Sequence, residues 1–155
     1  MAVWGIGAYY KGSNPADKTD MFISDGLAYI GWDEMDASAL FCMFDSVKLG
    51  DIVYIKSFAP RLKKLHIKAI GIVEDTRKYK SHNLGTGIRV KWKLNFKPVI
   101  IDVTPEIYRN NVFNNTLYEE FNSSIIQLLV DELIKWIAEK ELIRFFLNLS
   151  SQTAP

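Results

Sequence analysis

A chain of 155 residues with 48% hydrophobic and 24% charged side chains is long enough to bury one core and too apolar to be disordered. Its single cysteine and two histidines exclude an intramolecular disulfide and make a cysteine or multi-histidine metal centre untenable. The net charge of +1 conceals a segregation: residues 1–46 carry two lysines against seven acids, residues 47–97 thirteen Lys and Arg against three, and residues 98–155 four against eight. A basic middle between acidic ends predicts one positive surface aimed at an anion, phosphate first among them. The competing reading is that these lysines pair with the acidic segments on folding. Met1-Ala2-Val3-Trp4 shows no basic stretch leading into an apolar one, and no apolar run reaches the ~18–20 residues of a membrane span. A cytoplasmic protein with no membrane partner is the expectation.

In chain order, Val3–Tyr10 reads as a first strand, with Gly5 and Gly7 where another group comes close. Lys11–Pro15 is a turn, Thr19–Ser24 a short helical turn or loop, and Leu27–Trp32 a second strand. Asp36–Ser46 looks helical, with Ala39, Leu40, Met43 and Val47 as its buried stripe and Cys42 as a small buried hydrophobe. Gly50-Asp51 then launches the strongest strand, Ile52–Phe58. The basic turn Pro60–Lys64 leads to a strand at Leu65–Val73, and a polar loop follows from Asp75 to Gly87. Ile88–Leu94 alternates cleanly, with Trp92 inward and Arg89, Lys91 and Lys93 outward, as a half-buried antiparallel strand does. Val99–Val103 adds a last strand. From Ser124 the period changes; Ser124–Gln127 fits a capping box, and a long helix with apolar residues on two faces runs to about Leu149.

The expected object is α+β: a small, strongly curved, mostly antiparallel β-sheet or barrel of five or six strands, one helix between strands two and three, and a long C-terminal helix. Residues 1–120 would form the barrel domain, residues 121–149 a helix packed on it or at a homodimer interface, and residues 150–155 a frayed tail.

Enzyme templates fail: no phosphate-binding G-x-x-x-x-G-K-[ST], no G-x-S-x-G and no H-E-x-x-H is present. The expectation is a protein without catalytic residues, cofactor or metal. Asp33, Glu34 and Asp36 read as the acidic first turn of the following helix rather than as cation ligands. His66 fits an ordinary sheet position and His82 a solvated loop. What the sequence does hold is aromatic rings beside glycines and cations at strand ends: Trp4, Tyr9, Tyr10, Trp32 and Phe58. Adjacent Tyr9 and Tyr10 must point to opposite faces of a strand, so one of them is exposed. Rings at a barrel mouth can sandwich a base, with stacking worth about 1–3 kcal/mol. A carboxylate or hydroxyl beside them can read the base edge, and rim cations such as Arg61, Lys63, Lys64 and Lys91 can hold phosphates.

The ordered string Trp4, Gly31-Trp32-Asp33, the Ala39-Leu40 helix, Lys48-Leu49-Gly50-Asp51-Ile52-Val53-Tyr54-Ile55-Lys56-Ser57-Phe58, Ile67–Val73 and Lys97-Pro98-Val99 resembles the EVE domains of the PUA-like superfamily, over roughly residues 3–103. The Trp-x-Gly-Val-Arg-Asn run typical of that family is replaced by Asp33-Glu34-Met35-Asp36 after Trp32. Its usual histidine before the serine is Lys56 here. The resemblance implies a PUA-like barrel whose pocket accepts a base, often a methylated or hydroxymethylated cytosine; related YTH domains hold methyladenine of RNA in an aromatic cage. Carried over by position, Trp32 and Asp33 would lie at the pocket mouth with Lys56 and Ser57 across from them, and Trp4 would form a wall. Prokaryotic members often accompany restriction or defence nucleases, which makes a reader or adaptor the implied role. The expected function is therefore a non-enzymatic module for DNA or RNA that captures a flipped, modified base. The alternatives are a binder of a free nucleotide-like molecule and a protein-interaction adaptor acting through the C-terminal helix.

Overall fold

The computed structural model describes residues 1–11, 15–109 and 115–152. Residues 12–14 of the expected Lys11–Pro15 turn and residues 153–155 of the expected tail lie outside them. The chain forms two compact units, one ending at Asn122 and one opening at Ser123.

The first unit is a curled, mixed sheet that makes a half-barrel. Its strands are β1 (Val3–Gly7), β4 (Leu27–Ile30), β5 (Ile52–Ala59), β6 (Lys64–Ser81), β7 (Gly85–Trp92), β8 (Val99–Asp102) and β9 (Leu117–Glu119). They lie in the order β4-β7-β6-β5-β1-β9, with β8 on the same edge of β6 as β7. A two-residue ribbon, β2 (Tyr9–Tyr10) with β3 (Ala16–Asp17), stands apart. Helices α1 (Thr19–Asp25), α2 (Ser38–Asp45) and α3 (Pro105–Arg109) fill the connections, α2 falling between the expected second and third strands. Antiparallel pairing predominates, but β1 and β5 run parallel, Val3 opposite Ile52 and Gly7 opposite Lys56. The core packs inside the curl around Trp4, Ile6, Phe22, Ile30, Phe44, Ile55, Ile88 and Trp92.

That parallel pair rests on one carboxylate. Asp51 is 4% exposed. Its Oδ1 accepts the Ala2 N–H at 2.8 Å, and its Oδ2 accepts the Trp4 indole N–H and the Lys48 N–H, each at 2.9 Å. Its own carbonyl accepts the Val73 N–H at 2.9 Å. One side chain thus ties the start of β1 to the start of β5, and its backbone ties β5 to β6. Burial pushes the Asp51 carboxyl up, but these donors outweigh it and hold it below the ordinary carboxylate value.

Several expectations change. The stretch read as a loop from Asp75 continues as β6 to Ser81, and β7 begins at Gly85. Its polar residues hide a strand because β6 there faces water on one side and register irregularities between Val73 and Tyr79 break the alternation. β9 and the β2–β3 ribbon were too short to read. The buried residues of α2 are Phe41 and Phe44; Ala39 is exposed and Leu40 and Met43 are only partly buried. Cys42, next to Phe41 and so about 100° round the helix from it, is exposed rather than buried. No acid lies in the first turn of α2; instead the Asp33 carbonyl accepts the Asp36 and Ala37 N–H groups at 3.1 Å, a turn ahead of the helix.

The second unit is α4 (Ser123–Gln152), a single helix that begins one residue before the expected cap and continues through the start of the expected tail. Ile134 and Ile137 on it are 59% and 50% exposed. Among the described residues no helix is long and apolar enough to cross a membrane.

Replacing Asp51 by alanine strands three buried or part-buried donors. Urea unfolding is expected to show a loss of about 3 kcal/mol, with the Trp4 indole signal shifted. Because the folded carboxyl is held low, its contribution is present above the unfolded value and lost as pH falls through the folded one, so the deficit of the variant should shrink in acid. A change below about 1 kcal/mol at neutral pH would remove Asp51 from this role.

Candidate functional site

Inward-facing residues of β7 alternate from Trp92 through Val90 and Ile88 to Thr86, where the apolar column gives way to a recess of about 560 Å³. That volume lies within the roughly 300–1,000 Å³ typical of small-molecule sites. Tyr10, Trp32, Asp33, Lys80, His82 and Thr86 are among its walls. Three segments meet there: the end of β2, the chain leaving β4 and the β6–β7 hairpin.

Two glycines allow the meeting. A Cβ on Gly31 would stand 2.6 Å from the Tyr10 ring, so only glycine lets that ring lie against the backbone. Gly85 has φ +84°, and a Cβ there would fall 2.2 Å from the Ile30 carbonyl oxygen, so only glycine lets the hairpin tip close on β4. The Tyr10 hydroxyl donates to the Leu84 carbonyl at 2.8 Å, tying β2 to the hairpin.

Trp32 is the exposed ring of the site, 54% accessible. Its indole N–H donates to the Thr116 hydroxyl at 3.0 Å, so the side chain has a fixed anchor while much of its surface stays open. Beside it the Asp33 Oδ1 accepts the Met35 N–H at 3.0 Å. The hairpin adds Lys80 and His82, both exposed. An exposed ring, the carboxylates of Asp33 and Glu34, the Lys80 amine and the His82 imidazole around one opening suit a flat, polar ligand.

The structure thus brings together Tyr10, Trp32 and Asp33 of the sequence-predicted residues. Tyr9 points away from Tyr10 and is 54% exposed, as adjacent strand residues must. Trp4 is 3% exposed and bonded to Asp51. Ser57 and Phe58 lie half-buried on β5, opposite His66 and Leu65 of β6. Lys56 is buried at 4% exposure; its Nζ donates to the Asn115 carbonyl at 2.6 Å and stands 5.2 Å from the centre of the Tyr118 ring. It reaches the neighbourhood of Trp32 through the Asn115–Thr116 segment rather than across an open mouth. Burial lowers its pKa to about 8. Arg61 and Lys63 sit at the turn before β6 and Lys64 opens it, whereas the recess is at the far end of that 18-residue strand. Lys91 lies between them on β7, 3.4 Å from Glu74.

The segregated charges partly neutralise one another. Lys64 pairs with Asp102, Lys68 with Asp17 and Lys78 with Asp45, each joining the basic middle to an acidic flank. Sequence reasoning missed Lys80 and Gly85, and left His82 as a solvated loop residue. Asn83, Gly85 and Gly87 between two strand-like runs were the signal, disguised by reading the whole polar stretch as loop. A wider groove of about 740 Å³ follows α4 from Ser123 to Lys135, but one helix alone lines it and no aromatic ring borders it.

No protein-family model matches the chain, and neither does any curated protein.

The ionisations here give stability a signed pH profile. With Lys56 at about 8, below its ordinary 10.5, the unfolded chain binds the extra proton between those values, so stability should rise across that window by about 3 kcal/mol at most. Burial first, and then the neighbouring Tyr29, raises the Tyr10 phenol well above its ordinary value. The folded protein therefore keeps a proton that the unfolded chain releases, and stability should fall above about pH 10. Urea midpoints between pH 7 and 11 should peak near 10, and Lys56→Met should abolish the rising limb. A wild-type profile flat or falling from pH 8 to 10 would contradict this.

Proposed function

We propose that this protein is a non-enzymatic nucleic-acid-binding module of PUA-like, EVE-related architecture that takes an unstacked or flipped base, modified cytosine foremost, into the Trp32 recess. The observation that carries the reading is an exposed indole anchored by its N–H at the mouth of a polar recess that also holds Tyr10 and Asp33. A fixed ring gives a stacking surface without the entropy cost of ordering it. Asp33 lines the same recess, and the amino group of cytosine or adenine is a donor suited to its carboxylate. Lys80 and His82 take the phosphates next to the base. The Arg61–Lys64 turn, at the other end of β6, meets the strand several nucleotides away. The curled half-barrel and a motif order that resembles that of EVE domains support the same reading.

Lys64, Lys68, Lys78 and Lys91 each have a carboxylate partner, which favours a second reading. The recess would then serve a free nucleotide-like molecule that needs few phosphate contacts. Lys63→Glu with Lys64→Glu separates the two: it weakens a strand and leaves a mononucleotide unaffected.

Titration of plain, methylated and hydroxymethylated oligonucleotides at two salt concentrations tests the proposal. Binding should weaken with salt. Trp32→Ala should cost about 1–3 kcal/mol at either concentration. Lys80→Glu should flatten the log–log salt slope by about one. Absence of salt-sensitive binding to every oligonucleotide would sink the proposal.

A further inference from the structure

β5 opens as Ile52, Val53, Tyr54 and Ile55, all buried, and a lysine follows them into the interior. A β-bulge sits at this step: Ile55 faces Ala69 but Lys56 faces Ile67. Opposite it, Gly7 on β1 has no side chain and Ile67 on β6 is apolar and buried. From β9, Tyr118 presents its ring face to the ammonium, 5.2 Å away, while the Tyr118 hydroxyl donates to the buried Glu120 at 3.2 Å. Burying an ammonium is expensive unless it is well bonded, so its bonds show what it does there.

Lys56 Nζ donates to the Asn115 carbonyl, and the next residue, Thr116, makes two contacts of its own. The Thr116 carbonyl accepts the Gly7 N–H at 2.8 Å, and the Thr116 hydroxyl accepts the Trp32 indole N–H at 3.0 Å. The Asn115–Thr116 peptide is thus held from β5 by a charged donor and from β1 by the backbone, and it holds Trp32 in turn. We infer that Lys56 is a positioning residue for the recess: its protonated amine fixes the Asn115–Thr116 segment, and that segment fixes the stacking face of Trp32.

Charge matters to the role because a charge-assisted hydrogen bond is roughly twice as strong as a neutral one, and attraction to the Tyr118 ring needs the cation. A buried lysine loses its proton near neutrality more readily than an exposed one, and burial alone accounts for the lowering to about 8. Trp32 is therefore held firmly below pH 8 and loosely above it. The effect on Trp32 stands independently of any ligand; the consequence for affinity rests on the base-capture proposal.

The test uses the full-length protein without ligand. Trp4, Trp92 and Trp136 are at most 9% exposed, so acrylamide quenching compared between wild type and Trp32→Phe reports Trp32. Quenching of Trp32 should increase between pH 7 and 9 with a midpoint near 8. Lys56→Arg, whose charge persists, should show no transition. Lys56→Met should show the loosened state at every pH while still unfolding cooperatively in urea. Should either variant fail to fold, Thr116→Val removes the acceptor alone and should give the same loosened Trp32 with Lys56 untouched. Oligonucleotide affinity should fall about fivefold across the same transition. A Trp32 transition without oligonucleotide binding would uphold the positioning role and count against base capture. Wild-type Trp32 quenching that stays unchanged between pH 7 and 9 would overturn the role of Lys56, whatever the protein binds.

Discussion

The buried carboxylate of Asp51 is the constraint on which the arrangement rests. β1 and β5 run parallel, so no tight hairpin can set their register, and parallel neighbours need a long crossover. Here the crossover is everything from Ala8 to Asp51, including α1, β4 and α2. The register is set instead by one side chain that accepts the N–H of Ala2 and the indole of Trp4 across the pair and the N–H of Lys48 at its own turn. Once β1 is seated, Gly7 comes level with Lys56 and Thr116, and Tyr10 emerges where β4 and the β6–β7 hairpin end. The recess follows from that alignment.

Its walls come from segments far apart in sequence, and each junction depends on an absent or unusually placed side chain. Gly31 admits the Tyr10 ring, Gly85 admits the hairpin tip, and Gly5 lies under the ring of Tyr118, whose atoms come within 2.7 Å of where a Cβ would be. Behind the site, Tyr54 and Tyr118 share a hydroxyl–hydroxyl contact, and Tyr54 donates to Glu120 at 2.7 Å. The face that carries Lys56 is therefore polar and internally bonded, which gives β9 a rigid seat next to the Trp32 anchor. Ion pairs hold Lys64, Lys68 and Lys78 of the basic middle, while Lys80 and His82 border the recess.

The strands with clean patterns were legible from the sequence: Ile52–Phe58, the inward Ile88, Val90 and Trp92, and the exposed-versus-packed split of Tyr9 and Tyr10. The expected continuation to Leu94 with Lys93 outward fails, because β7 stops at Trp92, Lys93 is buried and Leu94 is 77% exposed. Gly5 could be seen as a close approach, but not that the Tyr118 ring makes it, and the approaches at Gly31 and Gly85 were not read at all, because the partners lie far away in sequence. Lys56-Ser57-Phe58 looked like a strand leaving the core; Lys56 in fact stays inside, since its charge is met by a backbone carbonyl 59 residues away. Such a bond has no local signature. The second half of β6 was invisible for another reason: a polar strand with one face in water and its alternation broken by register irregularities has the composition of a loop. Cys42 and the stripe of α2 were misplaced because Leu40–Phe44 is apolar throughout, so periodicity could not choose a face.

The most direct test of the account is the indole region of a ¹H–¹⁵N spectrum during titration with a single-stranded oligonucleotide carrying one methylated cytosine. The sequence contains four tryptophans and hence four indole signals. Base capture at the recess predicts that the Trp32 indole signal moves in a saturable way while those of buried Trp4 and Trp92 stay in place. Saturable binding that leaves the Trp32 signal unmoved would contradict it.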